Sequence, residues 1–235
     1  MDVTLFFLRW LHFLAGITWI GILYYFNFVQ TPFFAETEAP VRVGAIQKLV
    51  PRALWWFRWG AMVTFLAGIL MYLMELGRMG GSQFYSGQYG VVITFGGLIG
   101  TMMFLNVWLV IWPNQQIIIA STNQVAGGGQ ALPAAAGAAR RAALTSRTNV
   151  VISIPMLFFM GAPRHYPSLV NPSSGGHGVF WALSLVILAA VEYNALVGTQ
   201  GATKRPLDSV KGALWTGFLL TGIFYLLILL TLALS

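Results

Sequence analysis

The chain has 235 residues, 57% of them hydrophobic and 8% charged, with a formal net charge of +7. A soluble domain carries about 25% charged residues, so water is excluded as the main solvent of this surface. The absence of cysteine excludes disulfides, iron–sulfur ligation, thiolate zinc sites and a covalently attached c-type haem. The basic residues are scattered between apolar runs, which excludes a nucleic-acid partner that would need a clustered basic face.

The first apolar run continues from Val3 to Phe34 and contains RWLHFLAGITWIG. It is too long for a cleavable signal and predicts a first membrane helix over 5–30. Arg9, His12, Gly16, Trp19, Leu23, Asn27 and Gln30 follow one another at steps of three or four. They form one stripe, and a polar stripe on a membrane helix is expected to face the bundle. A second span is predicted over 54–75, entered through LWWFRW. A third over 90–112 is expected to stop at Pro113.

The segment 114–147 then reads as a loop. Gly127–Gly129 and Pro133 break it, and its alanine-rich part suits a short surface helix. The fourth span, 148–162, contains Pro155. It makes roughly 22 Å of helix, less than the ~30 Å hydrocarbon core. The fifth and sixth spans are expected over 177–198 and 210–234. Helices satisfy their own backbone in lipid at these lengths. The expectation is an all-α integral membrane protein, one polytopic domain over 1–235 with a bundle of about six transmembrane helices.

The basic residues predict an orientation. Arg42, Lys48, Arg52, Arg58, Arg140, Arg141, Arg147, Lys204, Arg205 and Lys211 fall on or beside the first, third and fifth loops; Arg9, Arg78 and Arg164 fall on the other side. The richer side is expected to be cytoplasmic. Both termini are then outside, which is the periplasm for a bacterial inner membrane, and 114–147 is a cytoplasmic loop.

This orientation places all three histidines toward the outer face. His12 lies roughly 10–12 Å down the first helix, His165 follows the fourth span and His177 opens the fifth. Gly16, one turn below His12, removes a side chain where a flat macrocycle could lie. Arg9, one turn above, suits an acidic substituent. An axial imidazole, space and a cation for propionates are what a b-type haem needs. The plainer alternatives are a His12 hydrogen-bonded to a neighbouring helix, a Gly16 that permits close packing, an exposed His165 and a His177 that only begins a helix. Bacteriochlorophyll magnesium would also accept histidine.

Glu192 and Asn106 are polar residues inside spans. Glu192 suits proton or quinone chemistry, or a pairing with Arg58 or Arg147 at the inner boundary. Gly96 and Gly100 form one GxxxG, read as packing within the bundle. No nucleophile–base pair or paired carboxylates appear, so any catalysis would be carried by a redox cofactor.

The segments RWLHFLAGITWIGILYYFNF, LWWFRWGAMVTFLAG, MMFLNVWLVIWPNQQ and SRTNVVISIPMLFFM, the last followed by HYP, lie on four of the six spans. Together they resemble the N-terminal membrane domain of the bacterial membrane-bound urate oxidases. The opening LHxxAGxxWIG also resembles other small haem-associated membrane families. The resemblance implies haem association and electron delivery to a cytochrome c. By motif it carries over His12 and His165 as candidate haem-iron ligands, with Arg9, Asn106, Arg147 and Asn149 as matching polar positions.

The chain departs from the family in two places. It has no CxxCH, and TEAPVRVGAIQKLVPRA stands where a histidine-bearing segment is expected. It looks like a short form lacking the cytochrome domain.

The leading expectation is a membrane subunit that binds haem b near the outer face. His12 would be one axial ligand, with His165 or His177 opposite and Arg9 or Arg164 near the propionates. It would exchange electrons with a cytochrome c or a larger redox complex, with a quinone as a further candidate partner. The alternatives are a cofactor-free accessory subunit of a respiratory or photosynthetic complex, and a urate-oxidising enzyme.

Overall fold

The computed structural model describes residues 3–233. Among them the secondary structure is entirely helical, and six helices are long and apolar enough to cross a membrane. These are α1 (Val3–Glu36), α3 (Val50–Met79), α5 (Gln88–Ala126), α6 (Ala135–His165), α7 (His177–Leu196) and α8 (Val210–Ala233). The short helices α2 (Ala39–Lys48) and α4 (Gly81–Ser86) lie in the first two connections. A 3-10 stretch, Ala202–Asp208, precedes α8. The fifth and sixth spans begin where the sequence predicts, at His177 and Val210. Leu234, the last residue of the predicted sixth span, lies outside the described residues.

The first two spans run longer than the expected 5–30 and 54–75, and two others differ more deeply. Pro113 does not stop α5. The chain takes a π-helical turn over Asn106–Ile111, and the Trp112 N–H bonds to the Val107 carbonyl. A wide turn lets the helix pass a proline whose missing N–H falls at the start of the next α-helical stretch. The fourth span is not short either. Proline costs most in a helix interior, yet α6 runs through Pro155 and Pro163 without a break. The residues 135–147, expected in a loop, are its first turns. The expected glycine break is real: α5 ends at Ala126, and Gly128 has a φ of +86°. Leu132 N–H donates to Ser121 Oγ (3.0 Å) and ties the turn between α5 and α6.

Helix α6 is the centre of the bundle. It packs against α5, α7 and α8, and 67% of its apolar window is buried, against 6% for α1. Phe95 of α5 meets Phe159 of α6, Phe180 of α7 and Phe224 of α8 at ring-centroid distances of 4.9, 5.3 and 4.8 Å. Close backbone approach completes this packing. A Cβ at Gly96 would lie 3.0 Å from the Phe159 carbonyl carbon, and one at Gly217 would lie 2.7 Å from the Val151 oxygen. Gly96 therefore serves packing within the bundle, as its motif suggested.

Candidate functional site

Helix α1 touches the bundle mainly through α3. The two run antiparallel along a ridge of small residues spaced by four: Gly60, Thr64 and Gly68. A Cβ at Gly60 would sit 3.2 Å from the Trp19 nitrogen and 3.3 Å from the Ala15 oxygen. Thr64 folds its hydroxyl back onto the Gly60 carbonyl (2.7 Å). Gly16 faces Thr64, whose Cγ2 is 3.7 Å from where a Cβ would be, and Gly68 faces His12, whose Cε1 would be 3.1 Å away. The place beside Gly16 is thus occupied by Thr64. The gap that admits the imidazole is at Gly68.

His12 is half-buried in this seam. Its Nδ1 lies 2.8 Å from the Thr64 carbonyl oxygen. A carbonyl only accepts, so Nδ1 carries the proton and donates. The neutral imidazole therefore has Nε2 as its basic nitrogen. An Nδ1–H bonded to a backbone carbonyl is the usual second interaction of a metal-ligating histidine.

Two arginines at the Met79 end of α3 meet a carboxylate that sequence analysis did not single out. Glu75 ends the predicted second span, and only 2% of its surface is exposed. It accepts from Arg78 Nε at 3.0 Å and from Arg164 Nη2 at 3.4 Å. The Arg164 guanidinium lies 4.7 Å from the Tyr89 ring centroid. Arg78 and Arg164 are thus drawn to one carboxylate, Glu75, with Tyr89 beside Arg164. A glutamate followed three residues later by arginine at a span end was the available signal.

The remaining histidines stand apart. His165 is exposed at the last residue of α6. His177 is half-buried, and its Nε2 is buried without a hydrogen-bond partner. Among the described residues no hydrogen bond or ring contact joins His12 to either, and no three His, Cys, Asp or Glu side chains converge as a metal-binding group.

Toward the other end, the polar positions form a connected interior. Asn106 Nδ2 donates to Asn149 Oδ1 (2.9 Å) and to Glu192 Oε2 (3.1 Å), while Asn149 Nδ2 donates to the Met103 carbonyl (3.0 Å). Arg147 Nε donates to Asn27 Oδ1 (2.7 Å), and Asn27 donates to Ser146 Oγ (2.9 Å). The C-terminal half of the α1 stripe does face the bundle: Trp19, Leu23 and Asn27 are buried. The alternative pairing of Glu192 with Arg58 or Arg147 is not formed. An asparagine amide satisfies this carboxylate without burying a second charge.

Lys204 is also buried, and its Nζ donates to the carbonyls of Val197 (2.9 Å) and Asn194 at the end of α7. A cation suits a helix C-terminus. Burial, and secondarily Arg140, pushes its ammonium below the usual lysine range.

Six apolar helices around a buried polar interior define a multi-pass membrane protein. The urate oxidase N-terminal family model matches residues 70–204, more than half the chain, and the chain belongs to that family. No curated protein and no solved structure matches it.

Proposed function

We propose that this chain is an inner-membrane subunit that holds a b-type haem near its outer face and passes electrons to a cytochrome c or a larger redox complex. The observation that carries this reading is the His12–Thr64 hydrogen bond of 2.8 Å. It fixes the tautomer a haem-iron ligand needs and leaves Nε2 available. Gly68 seats the imidazole itself, and the cations at that end of the bundle suit the acidic substituents of such a group. Arg9 and Arg164 are the candidates for its propionates, with Glu75 holding Arg164 in place. His165 or His177 would be the candidate for a second iron ligand. Bound there, a haem would supply a one-electron couple. The charge asymmetry of the loops supports periplasmic termini.

The test is a reduced-minus-oxidised spectrum of the detergent-purified chain, with pigment extraction. Haem b bands near one equivalent are expected. A folded, pigment-free sample would overturn the reading and favour an accessory subunit without a cofactor. Urate-dependent reduction of added cytochrome c, measured on the same sample, would instead favour a urate-oxidising enzyme.

A further inference from the structure

The chain holds only six acidic residues, and from Ala39 to Met74 there are none. That stretch carries Arg42, Lys48, Arg52 and Arg58. Glu36 and Glu38 lie just before it, nearest in sequence to Arg42, whose Nη1 donates to the Phe34 carbonyl (3.1 Å). Lys48, Arg52 and Arg58 have no carboxylate in an ion pair among the described residues.

Arg58 is held in an unusual way. Its guanidinium carbon lies 3.9 Å from the centroid of Trp112, 5.3 Å from Trp108 and 5.9 Å from Trp59. Its Nε is buried without a hydrogen-bond partner. Trp55, Trp56 and Trp59 are exposed on the same turns of α3, and Trp55 and Trp56 meet edge to face at 4.9 Å. Lys48 and Arg52 are exposed beside them. Tryptophans of this kind mark the headgroup level of a bilayer. A guanidinium fixed against an indole keeps its planar fork of donors at low entropic cost, and that fork matches a phosphate. Interhelical basic pockets at this level recognise anionic headgroups.

We propose that the N-terminal end of α3, with Trp108 and Trp112 of α5, is a binding site for the phosphate of an anionic diacyl phospholipid. Arg58 is the anchor, Lys48 and Arg52 are the outer cations, and the exposed tryptophans bracket the glycerol region. The site lies at the opposite end of α3 from Glu75 and does not depend on the haem reading.

The experiment is native mass spectrometry of the full chain titrated with phosphatidylglycerol and with phosphatidylcholine. Preferential retention of phosphatidylglycerol is expected. Arg58→Gln should weaken it about fivefold, the worth of one basic residue at an anionic surface. Arg58→Lys should restore part of it, and Arg78→Gln at the other end should leave it unchanged. Inorganic phosphate should compete poorly, because it lacks the acyl chains; equal competition would overturn the lipid assignment. Equal retention of the two lipids by the wild type would overturn the proposal, as would full preference in folded Arg58→Gln. Should Arg58→Gln fail to fold, the doubly substituted Lys48→Gln, Arg52→Gln chain must lower the preference, and an unchanged preference there overturns it equally.

Discussion

The seam between α1 and α3 and the core around α6 are built on different principles. The core buries a knot of aromatic rings between four helices and threads asparagines through its lower half. The seam is lined mostly by smaller residues: Ala15, Ala61, Thr64 and Ala67 are buried along it, with Trp19 at its edge. It holds α1 by backbone proximity at Gly60, by the fit of Gly16 to Thr64, and by one imidazole–carbonyl bond at His12. Lipid tails are as apolar as the side chains they meet, so helix association there rests on close packing and hydrogen bonds rather than on escape from water. The core is thus held by side-chain volume and the seam by close approach, so removing one imidazole from the seam leaves the contacts at Gly60 and Gly16 in place.

The core is most vulnerable at Phe95→Ala. The cavity it leaves among Phe159, Phe180 and Phe224 should cost about 3–5 kcal/mol, read as a lowered thermal midpoint in detergent. A midpoint that stays put would mean the rings are not the core. Next is Gly60→Val. The neighbours of the new side chain are backbone atoms of Trp19 and Ala15, which cannot swing aside. Overpacking of about 1–3 kcal/mol is expected. Hydrogen exchange should rise in α1 and stay low in α6, and a rise in both would merge the two regions.

Asn149→Ala removes the amide that links Asn106 to the Met103 carbonyl. It should cost about 1–3 kcal/mol by leaving buried polar groups unmet. Smallest is Arg140→Gln. Its 2.7 Å pair with Asp208 is exposed, at 36% and 49%, so the loss should stay below about 1 kcal/mol in the same unfolding measurement.

Much of the architecture is legible in the sequence, for identifiable reasons. Long apolar runs admit only helices, and the starts at His177 and Val210 follow polar segments that lipid would not accept. The first turns of α6 were not legible. Thr145 and Arg147 read as loop by composition, yet they are buried against other helices. Pro113 misled for a related reason: the adjustment that carries α5 past it is a π-turn, which composition does not announce.

The site was half legible. The α1 stripe, with His12 in it, stands out by spacing alone. The partners on α3 do not, because Thr64 acts through its carbonyl and Gly68 through the absence of a side chain. Glu75 hid at a span boundary, where a carboxylate normally faces water. The space expected beside Gly16 is filled, and the imidazole finds its gap at Gly68 instead.

The central claim is that His12 is a haem ligand rather than a packing residue. The most direct measurement compares the reduced-minus-oxidised spectra of the wild type and His12→Ala at matched thermal midpoints. The expected result is b-type bands in the wild type and their loss in His12→Ala, with the fold retained because Gly60 and Gly16 still seat α1 against α3. Unchanged bands in a folded His12→Ala chain would contradict it and leave the Thr64 hydrogen bond as the whole role of His12.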